Sequence, residues 1–121
     1  MLAQARSRLQ RLTPAQAYAA LAAGAVVVDI RPGGQRATEG EVPGALLVER
    51  NYLEWRFDPE CTARLPQAAG YDTQVIVLCS EGYTSSLAAD SLRRLGLYRS
   101  TDVIGGFRAW AAHGLPVHQS A

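Results

Sequence analysis

The chain has 121 residues but only two cysteines, Cys61 and Cys79, and two histidines, His113 and His118. No C-x-x-C or H-x-x-x-H spacing links them, and the histidines read as surface residues near the C-terminus. No metal centre and no other cofactor is therefore expected. Two cysteines do not make a disulfide scaffold, and a reducing compartment would keep both as thiols. Charge of either sign is in short supply too. Twelve basic residues against eleven acidic ones leave a formal +1, too little to argue for nucleic acid or a membrane surface as partner. No apolar run approaches the ~20 residues that span a bilayer. The start carries Arg6, Arg8 and Arg11 with no uninterrupted apolar stretch behind them, unlike a secretory signal. A cytoplasmic protein is expected. Internal repeats, low-complexity tracts and a second domain are all missing, and the length fits one domain over 1–121. Residues 1–12 read as a frayed helical or disordered extension.

What is present is an alternation of two periodicities. Thr13-Pro14 is a helix start, with Thr13 as cap and Pro14 where a missing N–H is harmless. The helix runs over 15–23, buries Tyr18 and Leu21, and ends at Gly24. Residues 25–30 are β-branched without polar alternation, as in a strand covered on both faces. After Pro32-Gly33-Gly34 a polar, helix-compatible stretch leads to Gly40. Pro43-Gly44 turns into a short strand over 45–48. Residues 49–73 are the least legible; Tyr52, Leu53, Trp55 and Phe57 would line one side of a short helix. Residues 74–78 form the most buried-looking strand, followed by a helix over 85–95 with Leu87, Ala88, Leu92 and Leu95 inward. A last strand over 102–104 and a Gly105-Gly106 turn lead to a helix carrying Phe107 and Trp110. Both tryptophans, Trp55 and Trp110, read as core residues. The pattern predicts an α/β fold with a mostly parallel sheet of about five strands and helices on both faces.

In such sheets ligands bind at the carboxyl ends of the strands, and Cys79 stands at one of them. Its thiol would face a short polar loop and the first turn of a helix, whose free N–H groups favour thiolate over thiol. A thiolate is a nucleophile. Gly82 can take the positive φ that lets the loop curl around a negative sulfur. Ser80, Thr84 and Ser85 offer hydroxyl donors. Cys61 has no comparable setting.

Several segments, in order, resemble the rhodanese-like family over about 13–117. Asp29-Ile30-Arg31 resembles its D-x-R. Gly40-Glu41-Val42-Pro43-Gly44-Ala45 resembles G-H-I-P-G-A. Cys79-Ser80-Glu81-Gly82-Tyr83-Thr84-Ser85 resembles the active-site loop C-x-x-G-x-R-S. Gly105-Gly106-Phe107 with Trp110, then Gly114-Leu115-Pro116-Val117, resembles its close. The resemblance implies a sulfurtransferase: Cys79 takes sulfane sulfur as a persulfide and passes it to a thiol or cyanide. Its partners would be a small sulfur donor, a thiol acceptor and, in one version, a protein. Ser80, Glu81, Gly82, Tyr83, Thr84, Ser85 and Arg31 would surround the substrate. Two departures bear on the donor. Thr84 stands where the family often has arginine, and Glu81 adds a carboxylate, so thiosulfate would be poorly served. Asp29 and Arg31 read first as a structural pair, with Arg31 the best remaining cation for an anionic substrate. The alternative is a non-catalytic rhodanese-like module that binds a partner or senses redox state. A cysteine phosphatase is disfavoured by the shorter loop and its missing arginine.

Overall fold

The computed structural model describes residues 1–119. At its centre lies β3 (Val75–Leu78), whose four apolar residues are all buried. Each contributes about 1.5–3 kcal/mol by leaving water. Beside it run β1 (Val26–Asp29) on one side and β4 (Thr101–Asp102) on the other, with β2 (Leu46–Leu47) beyond β1. The order is β2-β1-β3-β4 and every pairing is parallel. Asp29 lies opposite Leu78, so the residues after β1 and after β3 emerge side by side.

The sheet has four strands rather than about five. A further pairing stops at a single parallel bridge between Leu12 and Val103. It cannot extend past Leu12, because Thr13 already caps the next helix and Pro14 has no N–H for a ladder.

Strand residues alternate between the two faces. Val28, Val75 and Val77 pack with Leu53, Phe57, Ala88 and Leu92 on one side. Val27, Ile76 and Leu78 pack with Ala17, Phe107 and Trp110 on the other. The first face carries α4 (Leu53–Phe57) and α5 (Thr84–Arg94). The second carries α2 (Pro14–Ala22) and α6 (Gly106–Ala112). The α2 start has the expected cap, completed by Gln16: Thr13 accepts from the Gln16 amide, and the Gln16 side chain accepts from the Thr13 amide. A short α3 (Gly33–Glu39) follows β1.

The Arg-rich start folds as α1 (Leu2–Ser7), which lies against α5. Ala5 is buried, and Arg8 grips Asp90 of α5 with two bonds of 2.7 Å. The Arg8 guanidinium, and then burial working against it, set the Asp90 carboxyl below its ordinary range.

Four inward-facing assignments fail. Tyr18 is 42% exposed and meets Trp110 edge-on, Leu87 is 37% exposed, and Tyr52 and Trp55 are 51% and 61% exposed. Around residue 55 the i, i+4 pair Leu53 and Phe57 takes the core positions. Trp55 lies midway between them, on the far side. Trp110 is buried as expected, with its indole N–H donating to the Pro116 carbonyl at 2.8 Å.

Candidate active site

The chain leaves β3 at Cys79 and enters α5 at Thr84. Between them the loop turns sharply at Gly82, with φ at 86°, a value most side chains resist. Curled this way, the loop directs amides at the sulfur. The Gly82 N–H donates to Cys79 Sγ at 3.2 Å and the Ser85 N–H at 3.4 Å. The loop's first carbonyls point elsewhere. Those of Cys79 and Ser80 accept from the Phe107 and Arg108 amides, at 2.7 and 3.0 Å, in the first turn of α6. Two glycines permit that contact; Gly105 and Gly106 take φ of 77° and 62°. The result is two amide donors directed at the sulfur and the loop's first carbonyls turned away from it, suited to a negative sulfur.

Cys79 retains 8% exposure and touches the core on one side. On the other it forms the floor of a cleft of about 560 Å³. Ser80, Glu81, Tyr83, Thr84 and Arg31 line this cleft with it, so the structure brings those sequence candidates together. Gly82 and Ser85 act from beneath, through their backbone.

Individual side chains do other work than their motif suggested. The Ser80 hydroxyl donates to both Glu39 oxygens, at 3.0 and 2.9 Å. The Ser85 hydroxyl donates to Asp102 at 2.7 Å. Neither is aimed at the sulfur, whose donors are amides. Tyr83 is 58% exposed at the rim. Glu81 pairs with Arg108 at 3.0 Å. Glu41 is half-buried, bonded to Arg36 and to His118 of the closing segment.

Arg31 is 1% exposed and almost fully committed. Its Nε and Nη2 bond the buried Asp29, Nη1 bonds Glu39, and Nη2 also donates to the Gly40 carbonyl. Four of the five N–H donors are thereby used. The guanidinium also lies 4.2 Å from the Phe107 ring centre. Two carboxylates against one cation leave no net positive charge here. Burial works against ionisation of Glu39, but the Ser80 hydroxyl and Arg31 outweigh it and hold that carboxyl below its ordinary range.

Other residues reached the site without a motif. Gln35 of α3, and Glu49, Arg50 and Asn51 beyond β2, form the opposite wall. Arg50–Tyr52 is a single 3-10 turn, too short to leave a period in the sequence. Arg50 is held by both Glu54 oxygens at 2.9 Å. Asp102, fully buried in β4, accepts from Ser85, Ser86 and Arg11 and ties the start of α5 to the sheet. Cys61 lies outside the cleft, and both cysteines are free thiols. Among the described residues no cluster of His, Cys, Asp or Glu could hold a metal. No helix among them is long and apolar enough to cross a membrane.

Parallel strands, a cysteine at their carboxyl edge and two loop amides donating to its sulfur define a cysteine-loop α/β domain. The rhodanese-like domain family model matches residues 13–113, and the chain belongs to that family. Its relatives include a thiosulfate sulfurtransferase GlpE from Stutzerimonas stutzeri, 35% identical over 84% of each chain. Another GlpE, from Pseudomonas entomophila, is 34% identical over 86% of each. Among solved structures, a Rhodopseudomonas palustris protein of unknown function, described as a possible tyrosine phosphatase, is similar with a TM-score of 0.87. It is 32% identical, over 97% of this chain and 90% of that one. A rhodanese-related protein from Thermoplasma volcanium shares the fold, with a TM-score of 0.72 at 24% identity, over 91% and 98% of the two chains.

Proposed function

We propose that the protein is a sulfurtransferase that carries sulfane sulfur as a persulfide on Cys79. The observation that carries the reading is the sulfur at the floor of an open cleft, receiving the Gly82 and Ser85 amides. In the first half-reaction the Cys79 thiolate attacks the outer sulfur of a donor. The S–S bond of the donor breaks, and its electron pair leaves with the remainder; with thiosulfate the remainder is sulfite. Cys79 then holds an anionic persulfide, stabilised by the same amides. In the second half-reaction an acceptor thiolate or cyanide attacks the outer sulfur, and the electron pair returns to Cys79 as thiolate. Transfer in two steps through one covalent intermediate gives ping-pong kinetics. The reading includes a cytoplasmic setting. It includes neither nucleic acid nor membrane as partner.

Incubation with a sulfane-sulfur donor followed by intact-mass measurement tests this. A gain of one sulfur atom, absent in Cys79→Ser, is expected. No gain with thiosulfate, a low-molecular-weight persulfide or a polysulfide would leave the same loop as a partner-binding or redox-sensing module instead.

Donor choice follows from charge. Glu49 and Glu81 line the cleft, while Arg31 is spent on Asp29 and Glu39, and Arg108 on Glu39 and Glu81. A neutral or cationic donor, or a persulfide delivered by a protein, suits this lining better than thiosulfate. Thr84 is exposed on the cleft wall, with room for a longer side chain. Thr84→Arg is expected to raise kcat/KM for thiosulfate about tenfold at low salt, by adding one cation beside the nucleophile. Added salt should shrink the gain. Equal activity of variant and parent at all ionic strengths would show that charge does not limit this donor.

A further inference from the structure

Two guanidinium groups from the start of the chain converge on one carbonyl of the cysteine loop. Arg6 Nη2 donates to the Gly82 oxygen at 2.8 Å and Arg11 Nη2 at 3.2 Å. A trans peptide points its C=O and N–H in opposite directions. Drawing the Gly82 carbonyl toward α1 therefore turns the Tyr83 amide away from α1. It also fixes Gly82, whose own N–H is a donor to Cys79 Sγ.

The two arginines differ in net charge. Arg11 is bound twice to buried Asp102, at 2.8 and 3.2 Å, so its charge is matched. Arg6 makes no ion pair among the described residues. Its Nε donates to the Ser86 hydroxyl, and its guanidinium carbon lies 5.7 Å from the Tyr83 ring centre. Around the rest of the loop, Arg31, Arg50 and Arg108 are each spent on carboxylates, which are in excess. Asp29 and Glu39 face Arg31, Glu81 faces Arg108, and Arg50 faces Glu54. Glu49 is exposed on the far wall, without an ion pair among the described residues. Arg6 is thus the guanidinium that touches the loop with its charge unspent.

We propose that Arg6 is a positioning residue of the sulfur site: it clamps the loop through the Gly82 carbonyl and sets an unmatched positive charge behind it, favouring the anionic forms of the Cys79 sulfur. This deepens the sulfur-carrier reading and rests on it. The helix α1 is then part of the site's machinery, although it lines none of the cleft.

The test is the pH dependence of Cys79 alkylation by iodoacetamide and by iodoacetate, in a Cys61→Ser background. Arg6→Gln is expected to move the pH–rate profile upward and to slow alkylation at neutral pH about three- to tenfold. The loss should be larger with iodoacetate, an anion. Arg6→Lys restores the charge without the planar fork and should recover most of the rate. Arg8→Gln removes an equal charge at the C-terminal end of α1 and unties the helix from Asp90, but Arg8 does not reach the loop; its profile should match the parent's. Arg6→Met, which keeps the aliphatic stem, repeats the measurement if Arg6→Gln does not fold. A profile for Arg6→Gln or Arg6→Met that superimposes on the parent's overturns the proposal. So does an equal shift in Arg8→Gln, which would make helix docking the cause. The readout needs no sulfur donor, so a protein that alkylates as expected yet takes up no sulfur refutes the sulfurtransferase reading and leaves the role of Arg6 standing.

Discussion

Gly106→Ala is expected to destabilise the protein by about 3 kcal/mol and to abolish sulfur uptake at Cys79, with both effects arising from one contact. A Cβ at residue 106 would lie 2.4 Å from the Cys79 carbonyl oxygen, 2.7 Å from that of Ser80 and 2.8 Å from the Gly82 nitrogen. All three are backbone atoms and cannot swing aside. The positive φ of 62° adds roughly 1–2 kcal/mol for any L side chain, and overpacking a filled site adds about 1–3 kcal/mol. Relief must come from the loop moving off α6. That motion breaks the bonds from the Phe107 and Arg108 amides, which turn the loop carbonyls away from the sulfur. Gly114→Ala is the control. Its φ is 72°, but nothing lies within 4 Å of the added carbon, so it should lose only the backbone term and keep sulfur uptake. Denaturant midpoints and intact-mass analysis of both variants check this. Equal losses in the two would mean that φ alone matters and that the contact with the loop does not.

The fold was legible wherever one physical signal dominated. The uninterrupted apolar run at 75–78 and the Thr13-Pro14 cap each specify their element locally, and both form as read. The loop geometry at Gly82 was legible for the same reason, since only one residue type takes that φ cheaply. Segment 49–73 was obscure because its structure is a 3-10 turn and a five-residue helix, shorter than two periods of any pattern. Four aromatic and aliphatic residues there fit one helical face on hydrophobicity alone. Tertiary packing chose the two spaced by four and left Trp55 in solvent.

At the site, the nucleophile and the loop were visible in one contiguous stretch, whereas the charges that govern it were not. The Arg6–Gly82 bond spans 76 residues and the Arg11–Asp102 bond 91. No local window holds both ends of either. The first residues looked like a loose polar extension because their arginines have no neighbours in sequence to satisfy them. Their partners lie on α5, β4 and the loop, and become apparent only once the parallel sheet has brought those elements together. The assignment of hydroxyl donors to the sulfur failed for a related reason. Ser80 and Ser85 are spaced correctly, yet Glu39 and Asp102 take their protons, and a carboxylate oxygen accepts shorter, stronger charge-assisted bonds than a cysteine sulfur.

Arg31 allows its two readings, anchor or substrate cation, to be separated. Arg31→Met should cost about 3–5 kcal/mol of stability, because it leaves the fully buried Asp29 without its partner. Most of that loss belongs to the stranded carboxylate rather than to the missing guanidinium. Removing the carboxylate as well, in Asp29→Ala/Arg31→Met, should therefore return part of the stability. The return is incomplete, since the Arg31 amide also donates to Asp29 at 3.0 Å and would be orphaned. The double-mutant cycle gives the coupling between the two residues directly. Function divides the readings further. With its donors already committed to Asp29, Glu39 and Gly40, Arg31 has almost nothing left for an anion in the cleft. Sulfur uptake per folded molecule of Arg31→Met, measured at low temperature where the variant remains native, should stay within a few-fold of the parent. A collapse of uptake in a variant that still folds would instead make the guanidinium part of donor binding, and the pair with Asp29 the device that holds it there.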